Sequence, residues 1–361
     1  MTDFQDILAS LNPEQRKAVE TIYWPVLVIA WPGSGKTQLL AARIANILKT
    51  TDYLPSNILC LTFTENAAKN MRDRLASMIG QDAYRVAIHT FHSFGSEVLN
   101  RFRYLTKEFN DAKPVDTIES SRILDGILEQ LSWDNPYKPG FRASDTIKEV
   151  LGNIGNLKKW WITPGFYRSI LEANIFAIDS INPIISEYWE QIDSLGQKKE
   201  EKQRKIELFK IFTEKVQQLY NIEKNIGNYE RFETVFLRWL DEVWENYEWD
   251  TSTKFMNAWR DTWTQKNYKN IRELKETSKI EKQQSLADIF EKYQNTLKEK
   301  WLIDFSDMIL EAIGLIESND IVRMSLAETY QFVMIDEFQD TNEAQMRLIN
   351  GILSVNTENP N

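Results

Sequence analysis

The stretch Ala30-Trp31-Pro32-Gly33-Ser34-Gly35-Lys36-Thr37 constrains this chain more than any other eight residues in it. It stands between an apolar run, Val26-Leu27-Val28-Ile29, and the helix formers Gln38-Leu39-Leu40-Ala41-Ala42. A strand that ends in a glycine-rich turn and reopens as a helix aims backbone N–H groups and the positive helix end at one point, which makes an anion cradle. Gly33 and Gly35 let the backbone approach the anion with no Cβ in the way. Lys36 would reach the β and γ phosphates of a bound nucleotide, and Thr37 would ligate Mg²⁺. The strict motif has Gly where Ala30 stands. The competing reading, an ordinary strand-to-helix turn that carries Gly-Lys-Thr, has to be weighed against the rest of the chain.

The first 120 residues alternate short apolar runs with helical patterns, as an open parallel sheet requires. After Val26–Ile29 come Asn57-Ile58-Leu59-Cys60-Leu61 and the weaker Val86-Ala87-Ile88, each followed by helix formers. Ala67, Met71, Leu75 and Met78 recur at helical spacing. From about residue 119 to 301 strand-like runs nearly vanish and amphipathic helices dominate, with ten of the twelve tryptophans between Trp133 and Trp301. Ile206, Phe209, Phe212, Val216 and Leu219 mark one apolar stripe; Tyr229, Phe232, Phe236, Trp239, Val243 and Trp244 mark another. A buried-strand pattern returns at Tyr330-Gln331-Phe332-Val333-Met334-Ile335, and the polar tail from Ser354 to Asn361 reads as a loop. A sheet that pauses and resumes implies an α/β domain carrying a helical insertion.

Asp336 and Glu337 close that last strand, so they fall at its C-terminal edge, where open α/β sheets bind ligands. An NTPase needs one carboxylate near the metal and its water shell, and a second to orient or deprotonate the attacking water. Alone, an acidic pair there is more often a turn or a helix cap than a catalytic pair. Beside a phosphate loop, the catalytic reading is the one the pattern favours.

Composition narrows the field further. With 43 basic against 53 acidic residues the net charge is −10, which argues against a histone-like coat on nucleic acid but leaves room for a local basic groove. One cysteine, Cys60, allows no internal disulfide, and with only two histidines a structural zinc site is excluded as a basis for the fold. The chain has no run of roughly 18 apolar residues and no signal-peptide pattern at its start, so the expectation is a cytoplasmic protein.

Several blocks, in order, resemble the UvrD/Rep-like superfamily 1 DNA helicases. Leu11-Asn12-Pro13-Glu14-Gln15-Arg16-Lys17-Ala18-Val19 resembles the family's Q motif, and the phosphate loop follows it. Leu61-Thr62-Phe63-Thr64-Glu65-Asn66-Ala67-Ala68 is similar to motif Ia, and Thr90-Phe91-His92-Ser93-Phe94 to motif Ib. Asp304-Phe305-Ser306-Asp307-Met308 resembles the acidic block before the Walker B strand, and Asp336-Glu337-Phe338-Gln339-Asp340-Thr341 matches motif II. The resemblance lies at the two ends of the chain; the middle is similar only in position.

The resemblance implies a RecA-like P-loop NTPase fold, a parallel sheet flanked by helices, formed by residues 1–118 and 302–361, with a large all-helical 1B-like subdomain over 119–301. It implies ATP and Mg²⁺ as cofactors. Gln15, Ala30, Trp31, Pro32, Gly33, Ser34, Gly35, Lys36, Thr37 and Gln339 would hold the nucleotide; Thr37 and Asp336 the metal; Glu337, Asp336 and Lys36 would act in catalysis. Phe63, Thr64, Thr90 and His92 would contact single-stranded DNA or a single/double-strand junction. Plainer alternatives stay open: Asn12 and Pro13 make a good cap and first turn, so Gln15 also fits a helix start. Phe63 fits a core ring, Thr64 a helix cap, and His92 a satisfied polar residue.

Two departures stand out. Trp31 occupies a position where the family usually has Gly, and Gln38 replaces a common Arg. Motif III, the second motor domain and its arginines are absent from these residues, and such arginines contribute about 10³–10⁵ in rate in related NTPases. The expectation is therefore the ATP-binding half of an ATP-dependent helicase or translocase, weak or inactive alone, whose partner is a C-terminal motor domain of the same parent. The alternative is a nucleotide-gated DNA-binding or regulatory module without productive hydrolysis; a small-molecule kinase fits the Q and DEFQD blocks less well. In the middle region, Gln197–Asn225 carries eight basic against five acidic residues and Gln265–Lys300 nine against six. A basic face with stacking tryptophans and a solvated face over an aromatic core both fit that pattern. For the adjacent Trp160-Trp161, one helix face cannot bury both.

Overall fold

A computed structural model describes residues 4–31, 33–106, 112–140, 143–219, 225–226, 229–230, 232–247 and 253–354. Pro32 of the phosphate loop and residues 355–361 of the polar tail lie outside them, as do the side chains of Tyr229, Val243 and Trp244. The described residues divide into two units, one of residues 1–123, 151–162 and 295–361, the other of 124–150 and 163–294.

At the centre of the first unit is a parallel sheet of three strands: β1 (Ile58–Thr62), β2 (Ala87–Thr90) and, at its far edge, the Phe332–Ile335 strand, in the order β2, β1, Phe332–Ile335. Register sets Thr62 opposite Thr90 and Leu61 opposite Ile335, so the three strands end within one residue of one another. Side chains alternate across the sheet, and the two faces meet two different cores. Ile58 and Cys60 of β1, with Phe332 and Met334, face Ile44, Met71 and Leu75 of the Lys36–Thr50 and Glu65–Ile79 helices. Leu59 and Leu61 face Phe94, Val98, Ile309, Ile313 and Leu348 of the Phe91–Arg101, Phe305–Ser318 and Glu343–Leu353 helices. Every residue of β1 is buried, which explains why it reads as an unbroken apolar run. Gly95 permits the Phe91–Arg101 helix to lie close on its neighbour, for a Cβ there would stand 3.1 Å from the Met308 carbonyl oxygen.

The apolar run before the phosphate loop departs from the expected strand. Val26–Ile29 carries no strand hydrogen bonds, and Ile29 is 90% exposed. Its composition suits a buried strand, but a strand also needs a neighbour's ladder, and the outer edge of Phe332–Ile335 is unpaired among the described residues.

The second unit is helical. Its core joins Ile181, Ile185 and Trp189 of the Pro164–Ser194 helix to Phe209, Phe212 and Val216 of Lys199–Leu219, Phe236 of Phe232–Tyr247 and Trp259 of Lys254–Trp263. Trp189 and Trp259 stack with ring centroids 6.1 Å apart. The Ile206–Val216 stripe is core as its spacing requires, whereas Leu219 and Trp239 are exposed. Two short antiparallel strands, β3 (Thr264–Lys266) and β4 (Arg272–Leu274), form a hairpin within this unit. Several cations of the basic stretches form ion pairs along the helix surfaces, as in Arg204–Glu207, Lys215–Glu187 and Lys282–Glu149, which is the pattern of a solvated face. Among the described residues, no helix is long and apolar enough to cross a membrane.

Candidate nucleotide and nucleic-acid site

The C-terminal ends of the three parallel strands gather the candidate residues on one edge of the sheet. Phe63 and Thr64 follow β1, Thr90 ends β2 with His92 in the helix after it, and Asp336 and Glu337 follow Ile335. The Asp336 N–H donates to the Leu61 carbonyl at 2.9 Å, continuing the ladder one residue past the strand.

The phosphate loop opens the Lys36–Thr50 helix. Gly35, at φ 84°, is its N-cap, and Gly33 stands at φ 80°. A Cβ at either would meet nothing within 4 Å, so these positions need glycine for their left-handed backbone and leave the space above the loop clear. The helix N-cap makes no side-chain hydrogen bond, and the unspent N–H groups of the first turn remain for an anion. The Lys36 ammonium lies 3.4 Å from the Ala30 carbonyl oxygen and 3.9 Å from Glu337 Oε2. Trp31 is 86% exposed, its ring turned to solvent.

Asp336 is buried, with the Thr37 side chain near enough to act on its carboxyl. Its carboxyl is held above the usual carboxylate range, first by burial and then by the adjacent Glu337 charge; the Glu337 N–H, Lys36 and Thr37 oppose that rise. A buried acid that resists ionising beside a like charge fits a divalent cation, and a carboxylate plus a hydroxyl is the sparse protein set Mg²⁺ takes beside phosphates and water. The same charge acts behind the sheet, where burial and then Asp336 push the Cys60 thiol up to about 12. Glu337 is half-exposed at φ 54°, a left-handed conformation unusual for a non-glycine residue, and Gln339 donates to its Oε2 at 2.6 Å.

Gln15 takes part in the start of its helix and also touches the phosphate loop. Its Oε1 accepts from the Asn12 N–H at 3.1 Å in a capping box, and its Nε2 donates to the Ser34 carbonyl at 3.3 Å, on the phosphate loop. To read a base edge with both amide atoms it would have to release these bonds.

The nucleic-acid candidates are less uniform. Phe63 is partly buried, edge-on to Phe91 at 5.6 Å. Thr64 caps the Glu65–Ile79 helix by accepting from the Ala67 N–H at 3.1 Å, yet remains exposed. Thr90 is buried: its hydroxyl donates to Glu65 at 3.0 Å and accepts from the Ser93 N–H at 3.1 Å, so its polar capacity is used within the fold. His92 meets Phe305 edge-on at 6.2 Å, and burial lowers its pKa against the opposing pull of Asp304.

Two residues carry weight that sequence reasoning did not assign. Phe305, quoted in the acidic block, is an exposed ring beside His92. Lys158 is buried between Asp304 and Asp307 of the same block, and Asp304 also caps the Phe305–Ser318 helix. The block thus contains a helix cap and an ion-pair acceptor. Of the adjacent tryptophans, Trp160 is exposed, while Trp161, at φ 59°, is partly buried against the core, under the Arg347 guanidinium at 3.5 Å.

The chain is similar to helicases along nearly its whole length. It is 22% identical over 342 residues to the ATP-dependent DNA helicase PcrA of Leuconostoc citreum, an alignment covering 94% of this chain and 30% of that protein. It is 26% identical over 352 residues to a probable DNA helicase II homolog of Mycoplasma capricolum, covering 98% of this chain and 33% of that one. Identity rises to 36% over 152 residues with the PcrA of Bacillus subtilis, covering 42% of this chain and 20% of the relative. The chain thus spans a third or less of the length of these relatives. The model of the UvrD/REP helicase N-terminal domain matches residues 11–358, and the chain belongs to that family.

Proposed function

We propose that this chain is the ATP-binding half of an ATP-dependent DNA translocase or helicase that moves on single-stranded DNA. The observation that carries the reading is the common edge of the sheet. There Lys36 lies 3.9 Å from Glu337, Thr37 is close to the buried Asp336, and Gln15 touches the phosphate loop, while Phe63, Thr64 and His92 follow the neighbouring strands.

In this reading the N–H groups of residues 33–37 cradle the nucleotide phosphates, and Lys36 exchanges its weak contact with the Ala30 carbonyl for the β and γ phosphates. Thr37 and Asp336 would hold Mg²⁺, which when bound supplies charge neutralisation on the phosphates. Glu337, reachable from solvent and steadied by Gln339, orients the attacking water and accepts its proton. Phe63 offers a stacking face, Thr64 a hydroxyl and His92 a neutral imidazole to the DNA, with Phe305 beside it. Nucleotide and DNA would then grip neighbouring strand ends, so a shift at Asp336–Gln339 is one strand away from Phe63 and Thr64 and two from His92. A C-terminal motor domain of a longer parent would supply the arginines that speed transfer; the greater length of the relatives supports this.

The full exposure of Trp31 and the unpaired run before the loop favour a second reading, a nucleotide-gated DNA-binding module without productive hydrolysis. Titration of the chain with a fluorescent ATP analogue and Mg²⁺ separates the cases. Binding that is lost in Lys36→Ala supports the nucleotide site common to both; equal binding by Lys36→Ala removes it. Turnover in a full-length parent that Glu337→Gln abolishes selects the motor, and a parent that binds without turnover selects the module.

A further inference from the structure

The hairpin of β3 and β4 ends in side chains that the fold does not use. Its base is anchored: Thr264 and Leu274 are buried, the Leu274 N–H donates to Asn182 Oδ1 at 2.8 Å, and Arg272 reaches Thr264 Oγ1 at 3.1 Å and Asp193 at 3.4 Å. Its tip is fixed by Asn267, whose Oδ1 accepts from the Lys269 and Ile271 N–H groups at 3.0 and 3.1 Å and whose Nδ2 donates to Glu273 at 3.0 Å. The Asn267 N–H donates to the Ile271 carbonyl at 2.9 Å, and Asn270, at φ 62°, closes the turn. Tyr268 projects from this rigid tip with 90% of its surface exposed. Lys266 and Lys269 flank it, both exposed, the Lys269 ammonium 5.4 Å over the ring. From Thr264 to Arg272 there are three basic residues and no acidic one, in a chain of net charge −10.

We propose that this tip is a single-stranded DNA contact, with Tyr268 stacking on an unpaired base and Lys266 and Lys269 meeting the flanking phosphates. The charge selects the partner: an aromatic face between the exposed Lys266 and Lys269 complements a polyanion with exposed bases, the nearby Glu273 being held by Asn267 and Asp193 by Arg272. A protein-docking anchor would sit inside an apolar patch that seals it from water, whereas the neighbours here are Lys, Asn and a single Ile. Because hydrogen bonds already fix the backbone under the ring, little further ordering opposes binding. The inference rests on the DNA-translocase reading and adds to it a contact in the second unit.

The test is fluorescence anisotropy of labelled oligo(dT) with the chain, across a salt series. Tyr268→Ala should weaken binding by about 5- to 150-fold, the span that loss of one base–aromatic stack gives, while Tyr268→Phe keeps the affinity. The Lys266→Gln/Lys269→Gln variant should flatten the dependence of log K on log salt by about 1.4, or 0.7 for each phosphate lost. Thermal unfolding should be unchanged in all three, since none of these side chains packs. Unchanged affinity and salt slope in the Tyr268→Ala and double-lysine variants would overturn the hairpin contact; if Phe63→Ala still weakens binding, the wider reading survives. Equal loss in Tyr268→Phe and Tyr268→Ala would overturn stacking, and no binding by the unaltered chain would overturn both proposals.

Discussion

Replacing Lys158 with Met would show what holds residues 151–162 in the first unit. Lys158 is 1% exposed, paired with Asp304 and 2.7 Å from Asp307 Oδ1. Methionine keeps most of the aliphatic stem and removes the charge, leaving two carboxylates side by side with little water. Deleting one partner of a buried pair costs about 3–5 kcal/mol, because the remaining charge is uncompensated. Asp304 keeps one compensating bond, from the Asp307 N–H at 2.8 Å, so the lower end, about 3 kcal/mol, is expected here. That is a large share of the roughly 5–15 kcal/mol that holds an ordinary domain together. Cys60 supplies a reporter confined to this unit: it is the sole cysteine, it is fully buried in β1, and burial pushes its thiol up to about 12, so alkylation requires opening. Alkylation across a urea series should show the midpoint falling by about 1.5 M, taking a slope near 2 kcal/mol per M. Adding Asp304→Asn and Asp307→Asn should recover at least half of the shift, since asparagine caps a helix nearly as well and carries no charge. A midpoint shift below about 0.3 M, or no recovery in the triple variant, would refute the buried clasp.

Glu337→Gly should stabilise the first unit by about 0.5–1 kcal/mol, the left-handed penalty of φ 54° less glycine's added chain entropy; a lower urea midpoint in the same Cys60 assay would count against strain at this residue. Asp336 gives a pH dependence of unusual sign. Its folded-state pKa lies above its unfolded one, so the native state holds the proton more tightly and stability falls as pH rises from the unfolded value through the folded one. Asp336→Asn should therefore raise the urea midpoint at pH 7, with the gain fading below about pH 4, and an equal gain at both pH values would point to packing instead. Trp31→Gly should leave the affinity for the fluorescent ATP analogue within about threefold, under 1 kcal/mol, because the exposed ring does not cover the cradle; a tenfold gain in titration would show that it does.

What the sequence made legible here is chemistry whose partners are close along the chain. Gly33 and Gly35 stand at positive φ where the helix from Lys36 opens, and β1 follows its apolar run because an interior parallel strand buries both faces, whereas the edge strands β2 and Phe332–Ile335 alternate buried and half-buried residues. The same rule over-reads Val26–Ile29, which is as apolar as β1 but lacks a ladder partner; a short run records burial propensity and says nothing of which edge it joins. Local bonding also takes up atoms that the sequence reading would assign to ligands, as where Thr90 spends its hydroxyl on Glu65 and Ser93, and Gln15 its amide on Asn12 and Ser34. Lys158 marks the opposite limit. A lysine near the end of an amphipathic helix reads as solvated, and its acceptor Asp304 stands 146 residues away, so only the tertiary fold turns that charge inward. The acidic block of residues 304–308 was visible as a motif, but which of its members caps a helix, which binds the lysine and which leaves a ring at the surface depends on that distant partner.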